Sequence, residues 1–599
     1  MSKSKYKEIF SRAISEAFQT VYPEKYFETG QQSIFDSGFV FQNLEKPKDP
    51  TMGRFALPVF KYAGLLGDKP QNIAEKISEA ADALLSSAPV RTVATGGFIN
   101  ARTDFAEEGA ETLRDIITAD AAYGFSDDGR GRTVLVEYCS ANIAKPFGVG
   151  HLRTTILGNS LRKIFQRLGY DAVGINYVGD WGTQFGKMIV AYRKWGADLP
   201  VGKETVSDLL NLYVKFHDEE EKNPDFAEEA REAFKNLENG RPEERALWER
   251  FRNISFAEWQ RVFDIMGIEF DWTTGEAFLN DKIEPVIQRL KKVGLTSVSD
   301  GALIVDLHDP QLPPCLLRKA DGATLYATRD IVGLLYRAEK YDFHEALYVV
   351  ASAQSDHFKQ VFKVVQMLEE AENVPESRRI APRAKHIDFG WVKFGEKTMS
   401  TRRGNIVFLE DVVNQAVDLA KQKILEKNPD LKNIDETALM IGTGAVIFSQ
   451  LSVRRQKDVN FDWNEVLSFE GETGPYLQYT HARLCSLMRN YSGKISPDIN
   501  IGFLDNEEEK RVVELLADAP DAIRDAARNY EPNFISTHLL KLAGAFNKVY
   551  QRKDESGKID KIISDNADLT AARMALVRSV QVVIKEGLYL LGLKAPEEM

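Results

Sequence analysis

Cysteine is scarce in this 599-residue chain: Cys139, Cys315 and Cys485 stand far apart, with no CxxC spacing. That excludes a disulfide framework and the common structural zinc sites, so all three read as small buried hydrophobes and no protein-bound zinc is expected. Long apolar runs are lacking too. The longest stretch free of charge, TALMIGTGAVIFSQLSV, is broken by Thr, Ser and Gln and falls short of the roughly 20 apolar residues a bilayer crossing needs. It reads as a buried helix, and no membrane partner is expected. The first residues carry no continuous apolar block, and Glu8 and Glu16 argue against an acid-poor transit peptide, so the expected location is cytoplasmic. Positive charge is in deficit, with 77 Lys and Arg against 89 Asp and Glu and a net charge of −12. Such a balance excludes indiscriminate coating of nucleic acid while leaving room for a local basic face. There is no internal repeat and no low-complexity linker.

What the chain has is length and alternation. It is too long for one core, and at roughly 150 residues per domain it should divide into three or four units. Residues 1–120 mix helical patterns with short strand-like runs. PQNIAEKISEAADALLSS places Ile73, Ile77, Ala80 and Leu84 on one face. From Thr133 short apolar β runs (TVLVEYCS, then YDAVGINYVGD) alternate with helices, and ALIVDL, EALYVVASA and AKHIDFGWV continue the pattern. Strands alternating with helices imply a parallel sheet of the Rossmann-like kind over residues 121–465. A charge-dense helical stretch at about 200–290 reads as an insertion packed on that sheet. From about Leu467 onward the pattern is almost purely helical: FISTHLLKLAGAFNKVY puts Leu539, Leu542, Ala543, Phe546 and Tyr550 on one face, and the last helix ends at Gly592. The expected fold class is therefore multidomain α/β, with an N-terminal α+β domain (1–120), a central parallel-sheet domain (121–465) and a C-terminal all-helical bundle (466–599).

The chemistry concentrates at one elbow. In TVLVEYCSANIAKPFGVGHLRTTILGN a strand reaches Ser140, Pro146, Gly148 and Gly150 shape a turn, and a helix starts near His151. Ligands of open parallel sheets sit beyond the carboxyl ends of strands, where a turn lets backbone approach the ligand and a helix aims its positive end at anions. Lys145 and His151 flank the turn and can both donate to phosphate oxygens. Read as composition alone, Gly150 could equally serve packing and His151 could merely cap the helix.

EYCSANIAKPFGVGHLRTTILGN followed by NYVGDWGTQFG resembles the HIGH signature region of class I aminoacyl-tRNA synthetases, and within them the arginyl-tRNA synthetase family, whose text runs close to SPNIAKPxHxGHLRSTIIG and NYxGDWGxQFG. DGATLYATRDI, SFEGETGPYLQYTHARLCSLMR and GLYLLGLKAPEEM resemble family text in the same order, and GGFIN resembles its appended N-terminal domain, so the likeness spans essentially the whole chain. The resemblance implies ATP-dependent activation of L-arginine to arginyl-adenylate and its transfer to the 3′ end of tRNA(Arg), with Mg2+ accompanying ATP. It also implies a monomer whose activation step waits for tRNA, with the tRNA elbow on residues 1–120 and the anticodon on residues 466–599. Carried over residue by residue, it gives the α-amino and carboxyl groups of arginine to Ser140, Asn142 and Gln354, and the guanidinium to Glu137, Tyr326 and Asp330. ATP falls to Lys145, Gly148, Gly150 and His151, together with Met399, Ser400, Thr401 and Arg402; the catalytic cations among these are Lys145, His151 and Arg402. The physics of the guanidinium agrees, because a planar, permanently charged fork asks for carboxylates and an aromatic neighbour, and Tyr326 and Asp330 share one face if their segment is helical. Without the family, Asp330 beside Arg329 would read as a surface charge and Glu137 as a salt-bridging strand residue.

Two departures stand out. The family's HxGH has Gly148 in place of its first histidine, and EKTMSTRRG puts Thr398 and Thr401 where KMSKS has lysines, with Lys397, Arg402 and Arg403 alongside. Many members lack the second lysine and carry one just before HIGH, which is where Lys145 stands. Losing a donor to a developing charge costs roughly 10²–10³ in rate when nothing replaces it. An arginine–tRNA ligase is one reading; a weakened paralogue that binds arginine or tRNA is a second; a small-molecule adenylating ligase, which would not need the helical C-terminal region, is a third. The intact Glu137, Asn142, Tyr326, Asp330 and Gln354 favour the first. Candidates for tRNA contact in the C-terminal region are Tyr476, Tyr479, Arg483, Arg489, Tyr491, Lys541, Lys548 and Arg552, aromatics and cations of the kind that stack on unpaired bases and neutralise phosphate.

Overall fold

Val134, Leu135 and Val136 are all buried, as a strand covered on both faces requires. They belong to β4 in a computed structural model that describes residues 5–28, 32–47, 49–199, 202–393, 407–554 and 556–599. The chain forms two compact units, one of residues 1–126, 484–524 and 538–586, the other of residues 127–483, 525–537 and 587–599.

In the first unit the antiparallel strands β1 (Phe55–Pro58), β2 (Val90–Thr95) and β3 (Phe98–Thr103) lie in the order β1-β3-β2. The helices Lys5–Val21 and Pro70–Leu84 cover them through Phe10, Ile14, Phe18, Ile73 and Ile77, packed on Phe55, Leu57 and Ile99. The face of the second helix is rotated from the expected one: Leu84 is 49% exposed, whereas Ala74 and Ala81 are buried. Short alanines let helix and sheet approach closely, and this outweighs the larger side chain near the helix end. Arg54 donates to Glu108 (3.1 Å) and the Glu514 carbonyl (3.2 Å) and pairs with Asp518 (3.0 Å), tying this α+β layer to the helix Glu507–Asn529 of the same unit.

The second unit is built on five parallel strands. β4 (Thr133–Glu137), β5 (Asp171–Val178) and β6 (Trp272–Gly275) run outward to one side; β7 (Ser297–Ser299), β8 (Ala302–Val305) and β9 (Cys315–Arg318) form a separate antiparallel sheet; β10 (Glu345–Ala351) and β11 (Ala384–Phe389) return on the other side of β4. The order is β11-β10-β4-β5-β6, so the chain reverses direction between β4 and β10. Crevices at such reversals are where open α/β sheets bind ligands.

Three expectations are corrected here. The strand entering the elbow ends at Glu137, three residues before Ser140. ALIVDL joins the small antiparallel sheet instead of the main one, because Asp300 and Gly301, both with positive φ, close a tight β7–β8 hairpin. The helices Val206–Glu220, Asp225–Glu238 and Pro242–Met266 form the charge-dense region, but the chain is back in the main sheet at Trp272, where β6 pairs with β5, well before residue 290. Periodicity identifies a short apolar strand without saying which sheet it joins.

The helix Leu152–Arg167 packs against β4 so tightly that a Cβ on Gly158 would sit 2.2 Å from the Tyr138 side chain. Its Arg153 is 2% exposed and donates to the carbonyls of Gly390 (2.9 Å), Lys457 (2.6 Å) and Arg454 (3.3 Å). These bonds fix the helix against the short parallel pair β12 (Val392–Lys393) and β13 (Val459–Asn460). The charge-free segment is the buried helix Ile434–Leu451, and Leu539, Leu542, Ala543 and Phe546 are buried as expected. Gln478 and His481, in the helix Gly474–Asn490, bond the carbonyls of Lys594 (2.8 Å) and Pro596 (2.9 Å), which secures the last residues.

Candidate substrate site at the end of β4

The elbow after Glu137 is held in an uncommon backbone shape. Cys139, Ser140 and Ala144 have φ of 74°, 50° and 57°, in the left-handed region that costs non-glycine residues of order 1 kcal/mol or more. Strain of this kind persists only where neighbours over-determine it. Gly179 donates to the Ala141 carbonyl (3.0 Å) and accepts from Ile143 N–H (3.1 Å), and a Cβ on Gly179 would lie 1.9 Å from Asn142 Oδ1. The glycine of NYVGDWG thus admits the Asn142 side chain. The glycines expected to shape the turn do not carry its strain. Gly148 is extended (φ −91°, ψ 170°), and a Cβ on Gly150 would meet nothing within 4 Å.

Gly148 forms a bridge with Phe408; Val149 N–H donates to the Val407 carbonyl (3.1 Å) and Leu409 N–H to the Phe147 carbonyl (2.9 Å). These bonds anchor the chain where the segment bearing the second signature rejoins the described structure. Met399, Ser400, Thr401 and Arg402, with Lys397, Thr398 and Arg403, lie outside the described residues. His151 precedes the helix, its ring stacked on Phe147 (centroids 5.2 Å apart, 10° between planes), and Phe147 is held by Phe263 and Trp259. Burial pushes the imidazole down to about 4, partly offset by the Gly148 carbonyl, with Lys145 nearby adding to the depression. At neutral pH His151 is therefore an uncharged donor, and the fixed positive charge of the elbow resides on Lys145.

Beside the elbow lies an acidic cluster assembled from four elements. Glu137 ends β4; Asp180 follows β5; Glu276 follows β6; Asp330 sits one turn into the helix Tyr326–Tyr341. That segment is helical, so Tyr326 and Asp330 do share a face, with Tyr326 60% exposed. Burial raises Glu137 above the usual carboxylate range, Arg337 opposes, and Asp330 is close enough to add to the rise, as it does for Glu276. Burial pushes Glu276 up to about 8, with Asp330 and Asp180 adding repulsion and Arg329 opposing. Asp180 rises to about 6, also through burial, while its Oδ1 accepts from Ala277 N–H (2.9 Å). His357 Nε2 lies 2.6 Å from Asp330 Oδ2.

Two internal arginines complicate the expected cage. Arg337, 4% exposed and flanked by the rings of Tyr177 and Tyr348 (each 5.3 Å), forms an ion pair with Glu137. Arg329 is also buried, and the neighbouring Asp330 side chain is 22% exposed and engaged by His357, so Asp330 is not a free surface charge. Ser140 Oγ, Tyr177 OH, Glu276 Oε2 and Arg329 Nε are buried without a hydrogen-bond partner, at a cost of roughly 1–3 kcal/mol each. Unpaired polar atoms gathered at one end of a sheet mark a place where a polar ligand supplies the missing bonds. Gln354 is exposed at the N-cap of the helix Ser355–Ala371, with its side chain not used as a cap.

The structure therefore brings Glu137, Tyr326 and Asp330 to one cluster, sets Ser140, Asn142, Lys145 and His151 along the adjoining elbow, and puts Gln354 beyond β10. Sequence reasoning missed Asp180, Glu276, Tyr177 and His357. Tyr177 and Asp180 lay inside the quoted NYVGDWGTQFG, and His357 stands three residues after Gln354, so each had a neighbouring signal. Glu276, in TTGEAF, carried no signal. Among the described residues no group of three or more His, Cys, Asp and Glu is arranged to hold a metal ion, and no helix is long and apolar enough to cross a membrane. Of the suggested RNA contacts, Arg552 pairs with Asp560 (2.9 Å), Arg483 lies over the Tyr479 ring (4.8 Å), and Lys541 and Lys548 are exposed.

Three parts of the chain match known families, and the whole chain resembles known proteins. Residues 112–463 match the family described as tRNA synthetases class I (R), catalytic domain; residues 477–599 match the DALR anticodon binding domain; residues 4–103 match the arginyl tRNA synthetase N terminal domain. The chain is 42% identical over 556 residues to an arginine–tRNA ligase of Clostridioides difficile, covering 93% of this chain and 95% of that one. It is 43% identical over 557 residues to one of Halothermothrix orenii, covering 93% and 95%. In fold it is similar to the arginyl-tRNA synthetase of Thermus thermophilus, with a TM-score of 0.81, 24% identity, and coverage of 98% of this chain and 99% of that one.

Proposed function

The chain belongs to the arginyl-tRNA synthetase family of class I aminoacyl-tRNA synthetases and is an arginine–tRNA ligase, and from that premise we propose how its residues divide the work. The side-chain fork of L-arginine lies against Asp330 and Glu276, covered by Tyr326. Glu137 shapes the same wall while held by Arg337, so it contributes negative potential more than a free carboxylate. Ser140, Asn142 and Gln354 take the α-amino and carboxyl groups. One observation supports this most directly: acidic groups from three strand ends and a helix converge beside a backbone elbow that opens onto a helix N-terminus.

In the first step an oxygen of the arginine carboxylate attacks the α-phosphorus of ATP, the bond from that phosphorus to the bridging oxygen breaks, and pyrophosphate leaves. In the second, the oxygen of the terminal ribose hydroxyl of tRNA attacks the activated carbonyl carbon and gives up its proton to a phosphate oxygen of the leaving group or to water, and AMP leaves with the bonding electrons. No covalent bond to protein forms. The chain holds the two reactants in line and stabilises charge growing on the phosphates. Lys145 supplies a fixed cation; neutral His151 donates an N–H; the backbone at Gly148 lines the phosphates, and Gly150, where a Cβ would meet nothing, leaves room for them. Met399, Ser400, Thr401 and Arg402 are assigned to the triphosphate from the signature alone. Mg2+ enters as part of the ATP substrate.

The test is arginine- and tRNA-dependent exchange of pyrophosphate into ATP, together with charging of tRNA(Arg). Robust exchange supports the ligase. Arginine or tRNA binding without exchange supports the weakened paralogue, which Gly148 in place of a histidine favours. We further propose a cytoplasmic monomer, with the anticodon on the helices of residues 466–599 and the tRNA elbow on residues 1–120; light scattering and footprinting of bound tRNA check these assignments.

A further inference from the structure

We propose that His357 is a positioning residue for arginine recognition, fixing the Asp330 carboxylate so that one of its oxygens stays turned toward the substrate guanidinium. This rests on the assignment of Asp330 to the guanidinium. His357 Nε2 lies 2.6 Å from Asp330 Oδ2, a short contact between two side chains each 22% exposed, on two different helices. An aspartate that must accept from a guanidinium needs a fixed rotamer, because a carboxylate free to rotate presents its lone pairs in line only part of the time. With Oδ2 engaged by the imidazole, Oδ1 is the oxygen left to face the ligand.

The ring has support of its own. It meets Phe358 edge to face (centroids 5.3 Å apart, 83°), and Phe358 in turn stacks on His386 (4.7 Å) and touches Tyr348 (5.2 Å), so the imidazole rests on a packed aromatic layer. His357 also lies in the first turn of the helix that begins immediately after Gln354. One end of this contact is therefore joined to the group assigned to the α-amino and carboxyl end of arginine, and the other to the group assigned to its guanidinium. Two recognition points at opposite ends of a flexible amino acid become fixed relative to each other, which is what selects a side chain by length as well as by charge.

A donor to a charged group is worth enough to change affinity by about 10- to 100-fold when lost. We therefore expect His357→Ala to raise the KM for arginine at least tenfold in the tRNA-dependent exchange reaction, with kcat and the KM for ATP changed less than threefold and the melting temperature close to wild type. His357→Gln, which keeps an N–H donor at similar reach, should recover most of the loss. In the double variant His357→Ala with Asp330→Asn, arginine should bind no worse than with Asp330→Asn alone, because the histidine acts through that carboxylate. An unchanged arginine KM in His357→Ala, additive losses in the double variant, or a glutamine variant as poor as the alanine one would each overturn the proposal while leaving the ligase intact. Wild-type exchange that does not respond to arginine would remove the assignment of Asp330 and this proposal together.

Discussion

With the arginine side chain against Glu276 as proposed, the raised pKa of that carboxyl makes arginine binding a proton-linked event. A carboxyl group that titrates near 8 is about one-tenth ionised at pH 7, and the guanidinium of arginine, charged at every working pH, pairs with the ionised form. Binding must therefore expel most of a proton near neutrality. Between pH 6 and 8 arginine affinity should rise by up to about tenfold per pH unit and level off above pH 8, with Asp180, titrating near 6, adding to the slope at the acid end. The window stays below the titration of arginine's own α-amino group. In the free protein the same shift acts on stability with the opposite sense. The folded-state value lies above the unfolded value of 4.5, so the folded state holds the extra proton, and stability fully present below about pH 4.5 is lost as pH rises through about 8. Its upper bound is roughly 4–5 kcal/mol at about 1.4 kcal/mol per pH unit. Glu276→Gln keeps the shape and abolishes the titration. The variant should melt higher than wild type at pH 9 and bind arginine more weakly there, and its arginine affinity should lose most of its pH dependence. Calorimetric titration of arginine in two buffers of different ionisation enthalpy counts the released proton directly. Wild-type binding that releases no proton between pH 6 and 8, or a glutamine variant with the wild-type pH slope, would refute the reasoning.

Asp330→Ala should raise the KM for arginine by about 10- to 100-fold while leaving that for ATP nearly unchanged, as measured by exchange kinetics; an unchanged arginine KM rules out the guanidinium assignment. His151→Ala should lower the exchange rate by about 10²–10³, since a donor aimed at developing phosphate charge is removed. Gly148→His should raise that rate several-fold: its extended backbone accepts any residue, and the added imidazole restores the donor of the HxGH pattern. Gly158→Ala should lower the melting temperature in calorimetry, costing about 1–3 kcal/mol or more, because its Cβ would lie 2.2 Å from the Tyr138 side chain on a helix with no slack.

Local information carried the sequence a long way. The strands at 133–137, 171–178 and 345–351, the helix after His151, the shared face of Tyr326 and Asp330 and the buried helix at 434–451 all follow from periodicity and turn chemistry, which act over a few residues and survive in text. The elbow that carries Lys145 and His151 was likewise legible as a turn, because a turn is built from consecutive residues. What the text could not contain was who faces whom across the sheet. Only the fold assigns Arg337 to Glu137, sets buried Arg329 among the carboxylates, lifts Glu276 out of an unremarked loop into the cluster, and sends the ALIV strand to a separate sheet. Those outcomes depend on burial and on charges brought together from distant parts of the chain. Desolvation and Coulomb energy are functions of position in space, and a linear sequence does not state them.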